Sequence, residues 1–411
     1  MLFVIANGCR TDNPLTATEA HFVPVSYFGL HIHNADKAEN WPVFQFNAWR
    51  LWDAYVSWPH IQPTKNQWNF AKLDGFVERA QLEGISLLLP LGLSPTWASA
   101  RPEESSAYKR LGWAAEPSNI EYWKRYVEKT MRRYKGKITY YEIWNEPNLK
   151  RFFSGSVKSM VDLTCTAKQI AWSVDPKIKI VSPGATRMNS GVSWLNTFFE
   201  YGGADCIDIV GFHFYVNAHD EPEKMVKYAQ MVRKVMKNFN VGSKPLWNTE
   251  TGWYFAHAEG GPHIRYRVLS LDNSASYLMR AFILGAGLGF ERFFWFSWNS
   301  RKMGGLIEPN SKKPKKAAYA FATIRRWLSG SVISPCKEHS RIWTCAIEFP
   351  DKQHGIIAWV TKGTSQLSAR KWGVDTVISF DGRDSVRSIL PSLDSLILLT
   401  NTPQIFLKVA K

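Results

Sequence analysis

Short apolar runs alternate with stretches of helical period along most of this chain. Ile85-Ser-Leu-Leu-Leu-Pro-Leu91 lacks polar alternation, as a parallel strand buried on both faces should. Similar runs over residues 28–33, 44–52, from Thr139 to a polar corner at Asn145, and over 178–183, 206–215, 244–249 and 292–299 complete eight strands. Between them, Phe70, Leu73, Phe76, Val77 and Ala80 follow helical spacing, with Asn69 as cap and Gly84 as left-handed stop. Ser118-Asn-Ile-Glu121 reads as a capping box, and further helices are predicted over 160–174, 223–238, 274–288 and 317–328. Strand-helix alternation on this scale predicts an α/β fold, a (β/α)8 TIM barrel over residues 26–330. From residue 331 the period falls to two, over 342–349, 355–361, 375–380, 395–399 and 404–409, with no helix between. That pattern predicts a small C-terminal antiparallel β-sandwich domain over 331–411. Residues 1–25 read as a lead-in segment packing on it.

The chemistry gathers where strands end. Asn145 and Glu146 stand at the corner that Pro147 closes, and a carboxylate in such a low-dielectric mouth has its pKa raised for proton donation. Glu250, 104 residues on, ends another apolar strand before a glycine turn. Two strand-end glutamates suit a glycosidase pair. Arg50 and Asp53 leave the second strand at the same rim, as partners of each other or of the site. His213 and Tyr215 lie two apart, hence on one face. His31 and His33 do likewise, as ligands or as core polar residues. Trp97 is either a sugar platform or a packing residue.

Trp144-Asn145-Glu146-Pro147 followed by Thr249-Glu250 resembles the acid/base and nucleophile signatures of clan GH-A retaining glycoside hydrolases. With Tyr27-Phe-Gly-Leu-His-Ile-His33, Arg50-Leu-Trp-Asp53, Trp68-Asn-Phe-Ala-Lys-Leu-Asp74 and Gly211-Phe-His-Phe-Tyr215 in that order, the chain resembles glycoside hydrolase family 39, especially its bacterial exopolysaccharide-hydrolase branch. The resemblance implies that Glu146 is the acid/base and Glu250 the nucleophile. It also implies that Arg50 holds the nucleophile side, that Tyr215 donates to Glu250 with support from His213, and that Trp298, or else Trp295, floors the sugar subsite. Asn145 is expected to hold the 2-hydroxyl of the substrate. Trp52 stands where the xylosidase branch carries a histidine, which points away from a xylosidase. The charge of Glu250 is expected to help raise the pKa of Glu146.

Composition narrows the partners. Nineteen tryptophans in a chain of 411 residues offer many flat apolar faces on which sugars stack, though most should fill the core. The net charge of +16 would suit nucleic acid, an anionic surface or an acidic polysaccharide. The lysines and arginines are spread out, and no nucleic-acid-binding motif accompanies the dense runs at 129–137 and 302–316. The first run reads as a solvated helix face. The second is a loop after the eighth strand that either grips an acidic glycan or is merely soluble. Cys336 and Cys345 can close a hairpin disulfide in an exported protein, whereas Cys9, Cys165 and Cys206 read as isolated thiols. No cofactor or metal is called for, and no apolar run is long enough for an integral membrane segment. Leu2-Phe-Val-Ile-Ala6 reads as a signal remnant, so export to the periplasm or beyond is expected, mainly from the resemblance. The expected function is therefore retaining, endo-type cleavage of a polysaccharide by a monomer. An exo-acting, β-xylosidase-like enzyme, a silent glycan-binding barrel and a basic adhesin are the alternatives.

Overall fold

The structure, a computed structural model, describes residues 20–408, so Leu2 to Ala6 and Cys9 lie outside the described residues. Eight strands pair in parallel: β1 Phe28–Leu30, β2 Ala48–Arg50, β3 Ser86–Leu91, β4 Tyr140–Ile143, β5 Lys179–Val181, β6 Val210–His213, β7 Leu246–Thr251 and β8 Phe290–Trp295. The order runs β5-β4-β3-β2-β1-β8-β7-β6, with Ala185–Thr186 added beyond β6 as a ninth strand. Val181 also bridges Ile209, so the two ends of the sheet meet and it curls back on itself. Leucines 87 to 89 are buried, as a strand covered on both faces requires.

Helices α1 Ala71–Leu82, α2 Ile120–Arg133, α3 Val157–Val174, α4 Met188–Glu200, α5 Lys224–Asn238, α6 Leu271–Gly287 and α7 Lys316–Leu328 each follow one strand from β2 onward. Between β1 and β2 the described residues hold only a single turn of 3-10 helix, Ala38–Asn40, so the regular alternation is incomplete there. Asn119, and not Ser118, caps α2, accepting from the amide of Glu121. The Ser118 hydroxyl donates instead to the carbonyl of Ala98. Helix α3 begins before residue 160 because Ser156 provides the N-cap, accepting from the amide of Ser159.

Inside the sheet, Ala48, Leu88, Val181, Ile209, Trp247 and Phe294 form the inner core. Arg292 is held there between Tyr140 and Trp247, 4.3 and 4.6 Å from the ring centroids. Helix α6 is buried from Ser274 through Gly287, which explains its richness in apolar and small residues; its one charge in that stretch, Arg280, is paired with Glu221 and Glu223. It is covered by the C-terminal region, where Ser276 and Thr402 hydroxyls meet at 2.7 Å and Gly287 packs against Cys336.

The C-terminal strands form an antiparallel sheet in the order His21–Phe22, Val332–Ile333, Ile342–Glu348, His354–Val360, Gln404–Lys408, Val374–Phe380, Ser385–Ile389. A two-stranded ribbon, Ser365–Ser368 with Leu396–Leu399, brings Leu367, Ile397 and Leu399 into a common core with Val360, Val377 and Phe406. A helical turn at Ala369–Trp372 does intervene, contrary to the sequence pattern, because Ser368 caps it and Gly373 ends it in the left-handed region. No helix is long and apolar enough to cross a membrane among the described residues.

One cysteine expectation is overturned. Cys165 of α3 and Cys206 are bonded to each other, as are Cys336 and Cys345. The first pair escapes a reading by spacing because 41 positions separate its members, and only the packing of α3 on the turn Gly203–Cys206 brings them together.

Candidate active site

Strand β4 is buried continuously from Tyr141 to Ile143 and then leaves the sheet through two left-handed residues, Trp144 at φ 63° and Glu146 at φ 44°. Non-glycine residues adopt this region at a cost and are held there by their surroundings. Here the amide of Trp144 donates to the carbonyl of Leu91 at 2.7 Å, that of Glu146 to the carbonyl of Gly184 at 3.0 Å, and the Trp144 indole to the carbonyl of Phe152. Glu250 comes from the last turn of β7. The two carboxylates and the His213 imidazole present ligand atoms that all lie within 4.8 Å of one another, and among the described residues no other such group occurs. Glu146 is 8% exposed and Glu250 7%, so both open onto the cleft by one edge.

Arg50 organises the floor. From the end of β2 its Nε donates to Glu142 Oε2 at 2.6 Å, its Nη1 to Glu250 Oε2 at 2.8 Å and its Nη2 to Asn145 Oδ1 at 2.8 Å. Its partners are thus these three groups and not Asp53, which accepts the Tyr108 hydroxyl at 2.7 Å. The Tyr215 hydroxyl donates to the other Glu250 oxygen, Oε1, at 2.9 Å. His213 Nδ1 lies 3.2 Å from Glu146 Oε1. Gly184 is required beneath them, because a Cβ there would stand 2.6 Å from His213 Nε2 and 2.8 Å from Glu142 Oε1.

Burial is the largest influence on both acids. It pushes Glu146 up to about 7, against the opposing charges of Arg151, Arg50 and Arg187. The charge of Glu250, expected to contribute, is not a leading cause there. The coupling shows instead on Glu250, which burial raises and Glu146 and Asp53 raise further, while His213 and Arg50 oppose. Burial drives His213 down to about 3, so its ring is neutral near pH 7 and acts through its dipole. Glu250 accepts two short hydrogen bonds, from Arg50 and Tyr215, that favour its anion, whereas Glu146 has the longer His213 contact and a weaker influence from the Thr186 hydroxyl. The two acids therefore have different environments, the one suited to staying ionised and the other to carrying a proton.

A cleft of about 780 Å³ holds both acids, with Asp53, Tyr108, Tyr215 and Phe296 among its lining residues. A second lobe of about 700 Å³ shares Trp52, Asp53 and Tyr108 with it and continues past His33 and His60 to Trp113. Neither lobe is lined by Trp298, Trp295 or Trp97. Trp298 is buried, packed on Phe44 and tied by its backbone to His31 and Leu306. The Trp295 indole donates to the carbonyl of Gly304, behind the cleft. Phe296, partly exposed, is the aromatic residue of this segment that lines the cleft. Trp97 packs on Trp58 and Tyr122, and its indole donates to the carbonyl of Gln62. His31 is buried with Nε2 against the carbonyl of Thr249, so it is a core residue. Glu142, Tyr108 and Phe296 were not anticipated. An acid inside a buried strand is itself the signal that could have found Glu142.

Residues 113–310, which carry both glutamates, match the family model described as Glycosyl hydrolase catalytic core. This stretch, just under half of the chain, is similar to a glycosyl hydrolase catalytic core. A β-xylosidase of Caldicellulosiruptor saccharolyticus is 26% identical over 155 residues, 36% of this chain and 31% of that protein, so the match spans about a third of the relative. The core and the sheet around it superpose on a family 39 glycoside hydrolase from Bacteroides cellulosilyticus, with a TM-score of 0.72 at 17% identity over 94% of this chain and 81% of the other. A family 39 β-xylosidase from Caulobacter crescentus gives 0.65 at 14% identity, over 95% and 98%. A family 30 endoxylanase from Clostridium papyrosolvens gives 0.61 at 12%, over 95% and 98%. These structures share the fold of this chain, which fits the resemblance to clan GH-A and family 39.

Proposed function

We propose that the chain is a retaining glycoside hydrolase working by double displacement on a (β/α)8 barrel, with Glu250 as nucleophile and Glu146 as acid/base. The observation that carries this is that one carboxylate oxygen of each acid lies within 4.8 Å of the other's, in keeping with the roughly 5 to 5.5 Å between the carboxyl groups of a retaining pair and short of the wider gap that admits an attacking water in an inverting one. Glu250 Oε attacks the anomeric carbon as the glycosidic bond breaks, and the proton of Glu146 passes to the departing oxygen. Water then opens the glycosyl ester, giving its proton to Glu146. Arg50 and Tyr215 hold Glu250 in line, and Asn145, fixed by Arg50 Nη2, turns its amide toward the sugar.

Two confluent lobes support endo-type cleavage of a polymer, in keeping with the exopolysaccharide-hydrolase branch. Two disulfides support export, since such bonds persist in oxidising compartments. The kinship with a β-xylosidase favours exo action on a short chain as the second reading. Proton NMR of the first-formed product on a panel of exopolysaccharides and aryl glycosides tests both. Retention, with oligosaccharide products, is the expected result; inversion, or no cleavage in the wild type, refutes the mechanism.

A further inference from the structure

Three acids, Asp53, Glu146 and Glu250, and three arginines line the two lobes, but the arginines are not paired with those acids. Arg110 lines the outer lobe, and Arg151 and Arg187 line the lobe that holds the acids. Among the described residues none of the three takes part in an ion pair, whereas Arg50 in the same site binds two carboxylates. The nearby acids are already engaged: Glu250 by Arg50 and Tyr215, and Asp53 by the Tyr108 hydroxyl.

The positions of Arg151 and Arg187 are set by the acid/base corner. Arg151 lies five residues past Glu146, with its guanidinium 4.9 Å from the Phe152 ring centroid. Arg187 follows Thr186, which Asn148 clamps to that corner: Asn148 Nδ2 donates to the Thr186 carbonyl at 2.9 Å and Oδ1 accepts from its amide at 3.0 Å. Both segments thus leave the acid/base corner, which puts the two arginines on the acid's side of the scissile bond, and the charge of both lowers the pKa of Glu146.

We propose that the sugar bound on the leaving-group side carries a carboxylate, received by Arg151 and Arg187. This rests on the glycosidase reading, which defines that side. Two guanidinium forks suit a planar carboxylate. Binding it would also offset the positive charge that acts against the proton of Glu146, so the correct substrate strengthens its own proton donor.

The test is isothermal titration of the Glu250→Gln variant, which binds without turnover. The probes are oligomers of galacturonate, glucuronate and mannuronate, each beside its carboxyl-reduced counterpart. At least one carboxylated chain should bind roughly tenfold more tightly than its neutral partner. That ratio should fall toward one when Arg151→Gln and Arg187→Gln are added, and recover in part with lysine at both sites; urea midpoints check that each variant folds. Equal affinities, no binding of any carboxylated chain, or a preference that survives both substitutions overturns the proposal. Hydrolysis of aryl glycosides by the wild type is scored separately. Its absence strikes the glycosidase reading alone, because the binding comparison needs no turnover.

Discussion

Arg50 on β2 and Glu142 on β4, with β3 between them and both side chains fully buried, are joined by a 2.6 Å hydrogen bond beneath the active site. Glu142 anchors the guanidinium edge opposite to the one that reaches Glu250. Glu142→Ala should destabilise the fold by about 3 kcal/mol, the scale for breaking a buried pair. Glu142→Gln retains a carbonyl acceptor for Nε and should cost less. Urea denaturation gives the order, and kcat/KM should fall with it because Arg50 would no longer be fixed under Glu250.

Glu146 links catalysis to pH. Only its protonated form can assist the leaving group, so kcat/KM should fall on the basic side near pH 7, where burial places its pKa. Stability follows the same proton. A carboxyl raised from 4.5 to about 7 on folding contributes its full stability below the unfolded value and loses it as pH rises to 7. The loss amounts to about 3 kcal/mol. Glu146→Gln cannot ionise, so the variant should be more stable than the wild type at pH 8 by that order and should lose the advantage near pH 4. Chemical denaturation at the two pH values measures it.

Tyr215 should matter through its hydroxyl. Tyr215→Phe keeps the ring and removes one donor from Glu250 Oε1, lowering kcat by roughly 10- to 100-fold. Burial already raises Glu250, so losing a donor to its anion raises it further, and the acid limb of the rate profile should move to higher pH. A loss of rate with an unmoved acid limb would mean that the hydroxyl serves some other group.

The disulfides should contribute unequally. Cys165–Cys206 closes 41 positions and Cys336–Cys345 closes 9. Loop entropy puts their contributions at about 4 and about 3 kcal/mol. The Cys165→Ser, Cys206→Ser pair should therefore unfold at lower urea than the Cys336→Ser, Cys345→Ser pair.

The acid pair was legible because each glutamate ends an apolar run and is followed by a residue that stops pairing, Pro147 in one case and Gly252 after Thr251 in the other. The aromatic floor was not. The resemblance pointed to Trp298, or else Trp295, on the last strand, but β8 carries register shifts against β7 between Phe290 and Arg292 and between Phe293 and Trp295. Each irregularity upsets the two-residue alternation by which a strand's facing residues are read, and Phe296 lines the cleft instead. Arg151 and Arg187 stand in irregular segments, where no period says which way a side chain turns. The helix that the sequence reading did not predict is α4, Met188–Glu200, whose buried Val192, Leu195, Phe198 and Phe199 are interleaved with polar residues between β5 and β6.

His21–Phe22 pairs with Val332–Ile333, at the inner edge of the C-terminal sheet, while the amide of Val23 donates to the carbonyl of Ser331 and that of Gly330 to the carbonyl of Val23. The segments entering β1 and leaving α7 are therefore sewn to each other and to one common sheet. A chain cut after residue 330 would leave His21–Phe22 without its neighbour and uncover the apolar length of α6. The terminal sheet acts as a clasp on the catalytic body, which makes the two regions poor candidates for separate transplantation.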